Sequence, residues 1–135
     1  MAEVFCPFCF EMMPVEAEQC PSCGGVPAEF DRLPYHQRLI AALHHPLDDV
    51  RMRAILALGK RRQPEAAEPL LDCALRFPTD VPQGAAIAEA LMRIARWTRD
   101  REPLRRLAAE HGSVMVRNAA ERWLSILGRR PGARS

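Results

Sequence analysis

The chain contains few aromatic residues and almost no lysine. Only 6% of its 135 residues are aromatic, and four of the five phenylalanines lie within the first thirty positions. Lys60 is the single lysine beside eighteen arginines. The segment after residue 30 must therefore build its core mainly from Leu, Ala and Ile, a composition that favours closely packed helices.

The sequence lacks the features of several classes of protein. No apolar run approaches the ~20 residues needed to span a bilayer, so no membrane partner is expected. The start, Met1 to Cys6, has neither the basic nor the apolar region of a signal peptide, which predicts a cytoplasmic protein. There is no phosphate loop, no HExxH, no G-x-S-x-G and no convergent pair of carboxylates. The sequence therefore predicts a protein that is not an enzyme.

Two closely spaced cysteine pairs carry the strongest signal in the chain. Cys6-Pro7-Phe8-Cys9 and Cys20-Pro21-Ser22-Cys23 each place two thiols on a tight turn, with ten residues between the pairs. Four thiolates from two such turns can surround one ion tetrahedrally, a geometry that suits Zn²⁺. Gly24 and Gly25 let the backbone turn and direct N–H groups at the sulfurs. We expect Cys6, Cys9, Cys20 and Cys23 to bind one structural zinc ion.

Other uses of these cysteines fit less well. Iron, in a site resembling rubredoxin, is an alternative because tetrahedral S₄ geometry admits either metal. A disulfide requires an oxidising compartment, and a redox CxxC requires a strand–helix context that this segment lacks. A catalytic zinc keeps an open position, whereas four thiolates close the shell. The fifth cysteine, Cys73, lies in a Leu-rich stretch and is expected to be a small buried residue.

The composition and the positions of the prolines predict three segments. Residues 1–28, interrupted by four prolines, are predicted to form a small zinc ribbon of two knuckles and short strands. Residues 33–128 show helical periodicity in six stretches and are predicted to form one helical domain. Residues 129–135 are predicted to be a flexible basic tail. Residues 1–33 carry a net charge of −5 and the remainder +7, which would favour docking of the ribbon on the helices.

The helical stretches repeat with a period of 33 residues. Three aligned triplets are Ala54, Ala57 and Leu58; Ile87, Ala90 and Leu91; and Ala120, Trp123 and Leu124. The string Asp49-Val50-Arg51-x-x-Ala54-x-x-Ala57-Leu58-Gly59 resembles the second helix of HEAT-like repeats, the short kind also seen in the phycobilin-lyase group. This resemblance implies a mostly α fold, a three-repeat HEAT-like α-solenoid of six helices. It also implies that Arg51 and Arg117 join an Asp–Arg ladder between repeats, with Asp49 nearby.

We interpret the chain as a non-catalytic adaptor that binds another protein through the solenoid and the ribbon. The residues expected to contact this partner are Phe8, Phe10, Arg53, Lys60, Arg93, Arg96 and Arg122. Phe8 and Phe10 are included because so small a ribbon can hardly bury every aromatic ring. The oligomeric state does not follow from the sequence.

Two alternative functions stay open. Nucleic-acid binding would use the densest basic stretch and its tryptophan: Arg93, Arg96, Trp97, Arg99, Arg105 and Arg106. Interspersed acidic residues such as Glu89 and Glu102 weaken this alternative, because they dilute the positive field. A lyase or chromophore-handling protein, as in the group that the repeats resemble, would require a ligand pocket between the ribbon and the solenoid.

Overall fold

Helices form most of the chain from residue 27 onward in the computed structural model, which describes residues 2–129. They are α1 Pro27–Phe30, α2 Tyr35–Ala42, α3 Asp48–Lys60, α4 Ala67–Arg76, α5 Val81–Thr98, α6 Glu102–Glu110 and α7 Val114–Leu127. A 3₁₀ turn at Pro64–Ala66 leads into α4. The mostly α fold class predicted from the sequence is confirmed. No helix among residues 2–129 is both long enough and apolar enough to cross a bilayer.

The cysteine segment (residues 2–26) contains the only strands in the described part of the chain. β1 Glu3–Phe5 and β2 Met12–Pro14 pair as an antiparallel hairpin with Val4 opposite Met13. The loop of this hairpin holds the first cysteine pair. Met13 is buried beside the cysteines, whereas Phe5 and Met12 are exposed. The segment thus has almost no apolar core of its own.

The helix count differs from the sequence prediction by one. The six predicted helices are present as α2 to α7, and α7 spans Val114–Leu127, the bounds that its apolar periodicity and Gly128 predict. The seventh helix, α1, lies between Pro27 and Pro34, a stretch that the sequence predicts to be a short connector. Pro27 favours the first turn of a helix there. Apart from Arg129, the predicted basic tail 129–135 lies outside the described residues.

Helices α2 to α7 form three successive pairs. In each pair the second helix (α3, α5 or α7) packs on its counterpart in the next pair, and the first helices α4 and α6 pack in a second layer. Leu58 and Leu91, one repeat apart, are both buried in the shared core, and Leu124 packs against it. Cys73 is fully buried in the same core, as predicted, with its thiol 3.6 Å from the carbonyl oxygen of Leu43.

Two glycines allow the second helices to approach each other closely. A methyl group on Gly59 would lie 2.9 Å from the Cα of Ala90, and one on Gly84 would lie 2.6 Å from Cγ2 of Val116. Both contacts are closer than real side-chain carbons allow. The missing side chains therefore let α3 approach α5 and α5 approach α7.

Replacing Gly84 with alanine should destabilise the protein. Overpacking a core costs roughly 1–3 kcal/mol, and the helix-propensity gain of about 1 kcal/mol offsets only part of it. Ala85→Gly at the neighbouring exposed position should also destabilise the protein, by about 1 kcal/mol, because helix propensity alone changes there and no contact is overpacked. Urea unfolding of both variants checks this. A Gly84→Ala protein more stable than wild type would contradict the close approach.

A buried arginine joins the first two repeats. The Nε of Arg51 donates to Oε1 of Gln83 at 2.8 Å, and Nη1 donates to the carbonyl oxygen of His45 at 2.8 Å. Within residues 2–129 Arg51 forms no ion pair. The Asp–Arg ladder implied by the resemblance is therefore wrong here, because an amide and backbone carbonyls take the place of the carboxylate. Arg117 repeats part of the pattern, with Nη1 2.6 Å from the carbonyl oxygen of His111.

The cysteine segment contacts the first helix pair through aromatic rings. Phe5 and Phe10 meet the His45 ring edge-on, with ring centroids 5.0 and 5.2 Å apart. Phe8 meets Phe30 of α1 in the same manner at 5.5 Å. Because His45 follows α2, these contacts place the cysteine segment at the N-terminal end of the helix stack.

Candidate metal centre and interaction surfaces

The two cysteine turns have the same local hydrogen bonds. The N–H of Phe8 donates to the sulfur of Cys6 at 3.4 Å, and the N–H of Ser22 donates to the sulfur of Cys20 at 3.4 Å. Such N–H···S bonds favour the thiolate over the thiol. Two turns that are fourteen residues apart in sequence therefore give the first cysteine of each pair the same backbone hydrogen bond.

The residue after each cysteine pair reverses the backbone direction. The N–H of Phe10 donates to the carbonyl of Cys6, and that of Gly24 to the carbonyl of Cys20, both at 2.9 Å. Both residues have positive φ, 64° for Phe10 and 79° for Gly24. Glycine adopts this conformation freely, whereas phenylalanine does so at a cost. The backbone of the first turn is therefore strained at Phe10, the residue that carries the aromatic ring.

The four sulfurs converge on one point. All four lie within 4.8 Å of one another, with Cys6 and Cys23 at 3.7 Å and Cys9 and Cys20 at 3.8 Å. A tetrahedral site with metal–sulfur bonds of about 2.3 Å has sulfur–sulfur edges of about 3.8 Å. A disulfide would bring two sulfurs to about 2.05 Å, so these distances fit shared coordination instead. The predicted ligand set forms a cluster positioned to hold a metal ion.

The pKa values of the cysteine thiols also indicate that the cluster binds a cation. The N–H of Glu11 lowers the pKa of the Cys9 thiol, but burial and the three neighbouring thiols together raise it to about 12. For Cys20, the backbone N–H groups of Cys23 and Ser22 outweigh burial and lower the pKa to about 7. Four adjacent thiolates therefore do not coexist at neutral pH without a positive charge between them, and metal binding releases protons.

The second helices expose a groove between α3 and α5. It encloses about 360 Å³, and its floor contains the small residues Ala57, Gly59 and Ala90. Leu56 at its side is 51% exposed. Lys60, one of the residues predicted to contact a partner, stands at its rim.

One comparison with known proteins gives a match within the helical part. Residues 35–92 match the family model for HEAT repeats. No curated protein and no solved structure gives a significant match to the chain. The HEAT match covers the first helix pair and α4 with most of α5. The third pair, α6 and α7, continues the same stacking one 33-residue period later.

The other residues predicted to contact a partner fall in different places around the HEAT-like stack. Arg53 is exposed on α3, and Arg93 lies at the rim of the groove, 3.4 Å from Glu89. Arg96 is exposed near the end of α5, and Arg122 lies beside a depression on α7.

The two predicted aromatic contacts behave differently from each other. Phe8 is 42% exposed even though its ring touches Phe30. Phe10 turns inward and packs against His45. Binding of a partner by either ring stays a prediction, and Phe10 has an intramolecular role in addition.

The basic stretch predicted for nucleic acid divides into paired and unpaired groups. Arg105 and Arg106 are engaged by acids of their own helix, Glu102 at 3.9 Å and Glu110 at 2.9 Å. Arg93 is likewise paired with Glu89. Within residues 2–129, Arg96 and Arg99 form no ion pair, and Trp97 between them is 66% exposed.

Sequence reasoning missed two arginines that belong with this unpaired group. Arg61 and Arg62 follow α3, and together with Lys60 and Trp97 they line a depression of about 440 Å³. They are more than thirty residues from Trp97 in the chain. The 33-residue period was the only available signal, since it places the end of α3 next to the end of α5.

A cavity does lie between the cysteine segment and the helices, as the lyase alternative requires. It encloses about 230 Å³. Pockets for drug-sized ligands occupy about 300–1,000 Å³, so the volume of this cavity lies below that range.

Proposed function

We propose that this chain is a non-catalytic protein-interaction module in which one structural zinc ion holds an N-terminal ribbon against a HEAT-like stack. The open groove between α3 and α5 carries the proposal, because it joins exposed Leu56 to a floor of small residues. Exposed apolar surface rimmed by charge is typical of a site for a protein partner. We expect the protein to act in the cytoplasm, where reducing conditions keep four thiolate ligands available.

Zinc is proposed as the metal because four thiolates form a closed tetrahedral shell. Such a shell has no open position for a substrate, which suits a structural site. Iron fits the same sulfur distances and is the alternative. Metal analysis of the purified protein separates the two, since an iron–thiolate site is coloured and a zinc site is colourless.

The charges at the groove suggest the chemistry of the partner. Lys60 and Arg93 stand at the rim, and Arg53 is exposed on the same helix, against the single acid Glu89. A partner with an apolar anchor and acidic neighbours would complement this rim. The anchor would fill the space above Ala57 and Ala90.

Substituting Leu56 tests this proposal with a matched control. Leu56→Asp should abolish capture of a protein partner from nuclease-treated host lysate. Leu47→Asp should not, although Leu47 is equally exposed at 51%, because it lies outside the groove. Losing a central anchor typically costs about 2 kcal/mol or more of binding free energy. Equal capture by Leu56→Asp and wild type would refute the groove as the binding surface.

Nucleic-acid binding is a second candidate, favoured by the unpaired cations around Trp97. The phosphates would contact Arg61, Arg62 and Arg99, and a base would stack on the exposed indole. These cations also follow helix C-termini, where positive charge stabilises the helix by itself. Salt distinguishes the two candidates: phosphate-driven binding should weaken by powers of ten between ~50 and ~200 mM salt, whereas an apolar groove should be little affected.

A further inference from the structure

The cavity between the cysteine segment and the helices has an unusual lining. It encloses about 230 Å³. Its principal lining residues are Phe5, Pro7, Phe10, Phe30, Arg38 and His45. Aromatic and apolar groups thus form most of the wall, and Arg38 is the only permanently charged side chain among them.

Local contacts hold the aromatic rings that line this cavity. Phe10 is held by the cysteine turn at a φ of 64°, and its ring meets His45 edge-on. Phe30 is fixed from the other side by its contact with Phe8. Strained residues that persist in a fold often mark functional sites. The strain at Phe10 places an aromatic ring on the wall of this cavity.

Arg38 provides the polar end of the cavity. Its Nε is buried and has no hydrogen-bond partner among residues 2–129. Its guanidinium lies 5.5 Å from the centre of the Tyr35 ring, so the side chain reaches from the cavity towards the surface. Buried donors are nearly always satisfied, and a guanidinium pairs best with a carboxylate. The orphaned donor therefore points to an anionic acceptor.

His45 does not compete with Arg38 for this role. Its Nδ1 accepts the N–H of Leu47 at 3.1 Å, which leaves the ring proton on Nε2. Burial and the charge of Arg51 lower its pKa, so the ring is neutral at pH 7. A metal ion with four thiolates would carry a net negative charge beside Cys6, which also lines the cavity. A carboxylate is thus favoured beside Arg38 and an apolar group against the aromatic rings.

We propose that this cavity binds a carboxylate attached to one compact apolar or aromatic group. The volume is below the usual range for drug-sized ligands, so it admits about one side chain. Two sources share this chemistry: the C-terminal residue of a partner polypeptide and a free aromatic acid. Because the cysteine segment and the helices each supply part of the wall, an occupant would bridge them and slow loss of the metal.

Titration of the metal-loaded protein tests the proposal. The probes are N-acetylphenylalanine, its C-terminal amide, and a five-residue peptide ending in phenylalanine with a free carboxylate. Both acids should bind at least about tenfold more tightly than the amide, as expected for a hydrogen bond to a charged group. They should perturb the amide resonance of Ala42, which also lines the cavity, and slow metal transfer to a chelator. Tighter binding of the peptide would identify a polypeptide terminus, and tighter binding of the free acid a small molecule.

Two variants and one control complete the test. Arg38→Gln should remove the preference for acid over amide, whereas Arg32→Gln, at an exposed arginine outside the cavity, should not change it. Ala42→Leu keeps Arg38 but fills the cavity, and should block both acids. Metal content and circular dichroism establish that each variant is folded. Equal binding of acid and amide, no binding of either acid, or unchanged binding by Ala42→Leu would overturn the proposal.

Discussion

Replacing Cys20 with serine should abolish metal binding and unfold the cysteine segment, while the helices from Tyr35 onward stay folded. The segment buries little apolar surface of its own, since Met13 is its one large buried side chain. Its stability therefore depends on the metal. Structural zinc in small peptides provides about 10–16 kcal/mol of apparent binding free energy, and such peptides are unfolded without it.

The helical part has an independent reason to survive this substitution. Its core joins residues from all three helix pairs, including Leu58, Leu91 and Leu107, and none of them belongs to the cysteine segment. What the helices lose is the ring contacts at His45. Such edge-on pairs contribute about 0.5–1.5 kcal/mol each, which a folded core can tolerate.

Metal analysis and far-ultraviolet circular dichroism check this prediction together. Wild type should contain one metal ion per chain and the Cys20→Ser protein none, with nearly unchanged ellipticity at the helical minimum. Cys73→Ala is the matched control, because Cys73 is buried among the helices and away from the cluster. It should retain the metal and lower the stability of the helices instead. Loss of all helical signal in Cys20→Ser would show that both parts fold as one unit.

The second large effect is expected from Arg51→Leu, which should destabilise the helical stack by about 2–4 kcal/mol. Arg51 donates to Gln83 of the next repeat and to the carbonyls of His45 and Pro46. Its guanidinium also lies 4.1 Å from the centre of the Phe77 ring. Leucine cannot donate any of these hydrogen bonds, so their acceptors are left without a donor. An unsatisfied buried acceptor costs more free energy than the hydrogen bond itself contributes to stability.

A double variant separates the contribution of the Arg51 hydrogen bonds from that of the packing of its side chain. Gln83→Leu added to Arg51→Leu removes the orphaned amide, and the pair should be less destabilising than the sum of the single variants. Arg53→Leu is the control, two residues away and exposed on α3, and should change stability by less than about 0.5 kcal/mol. Urea unfolding of wild type and of the four variants, with Gln83→Leu alone among them, measures these effects. Equal stability of Arg51→Leu and Arg53→Leu would contradict a structural role for these bonds.

Arg51 also connects the stack to the cysteine segment. The carbonyl that it holds belongs to His45, whose ring meets Phe5 and Phe10. In Arg51→Leu, we therefore expect metal to transfer to a chelator faster than in wild type, although every ligand cysteine is intact. The interaction that joins the first two repeats thus also supports the docking of the metal-binding turns.

The sequence by itself determined the features that depend on near neighbours in the chain. Two C-x₂-C turns predicted the ligand set, because the spacing places both thiols of a pair on one side of a turn. The bounds of α7 followed from its apolar periodicity and from Gly128. The 33-residue period predicted three helix pairs, since each pair must bury its apolar face against the next.

Only the tertiary structure decided which polar and aromatic groups meet across the repeats. Arg105 and Arg106 were expected to be available for phosphate, but acids one helical turn away engage them, whereas Arg61 and Arg62 reach Trp97 only through the stacking of α3 on α5. The same holds for Arg51 with Gln83, for Phe10 with His45 and for the cavity beside Arg38. Turns and helices arise from interactions within a few residues, which local sequence patterns record. Contacts between residues thirty or more positions apart depend on how the helices stack, and no local pattern contains that information.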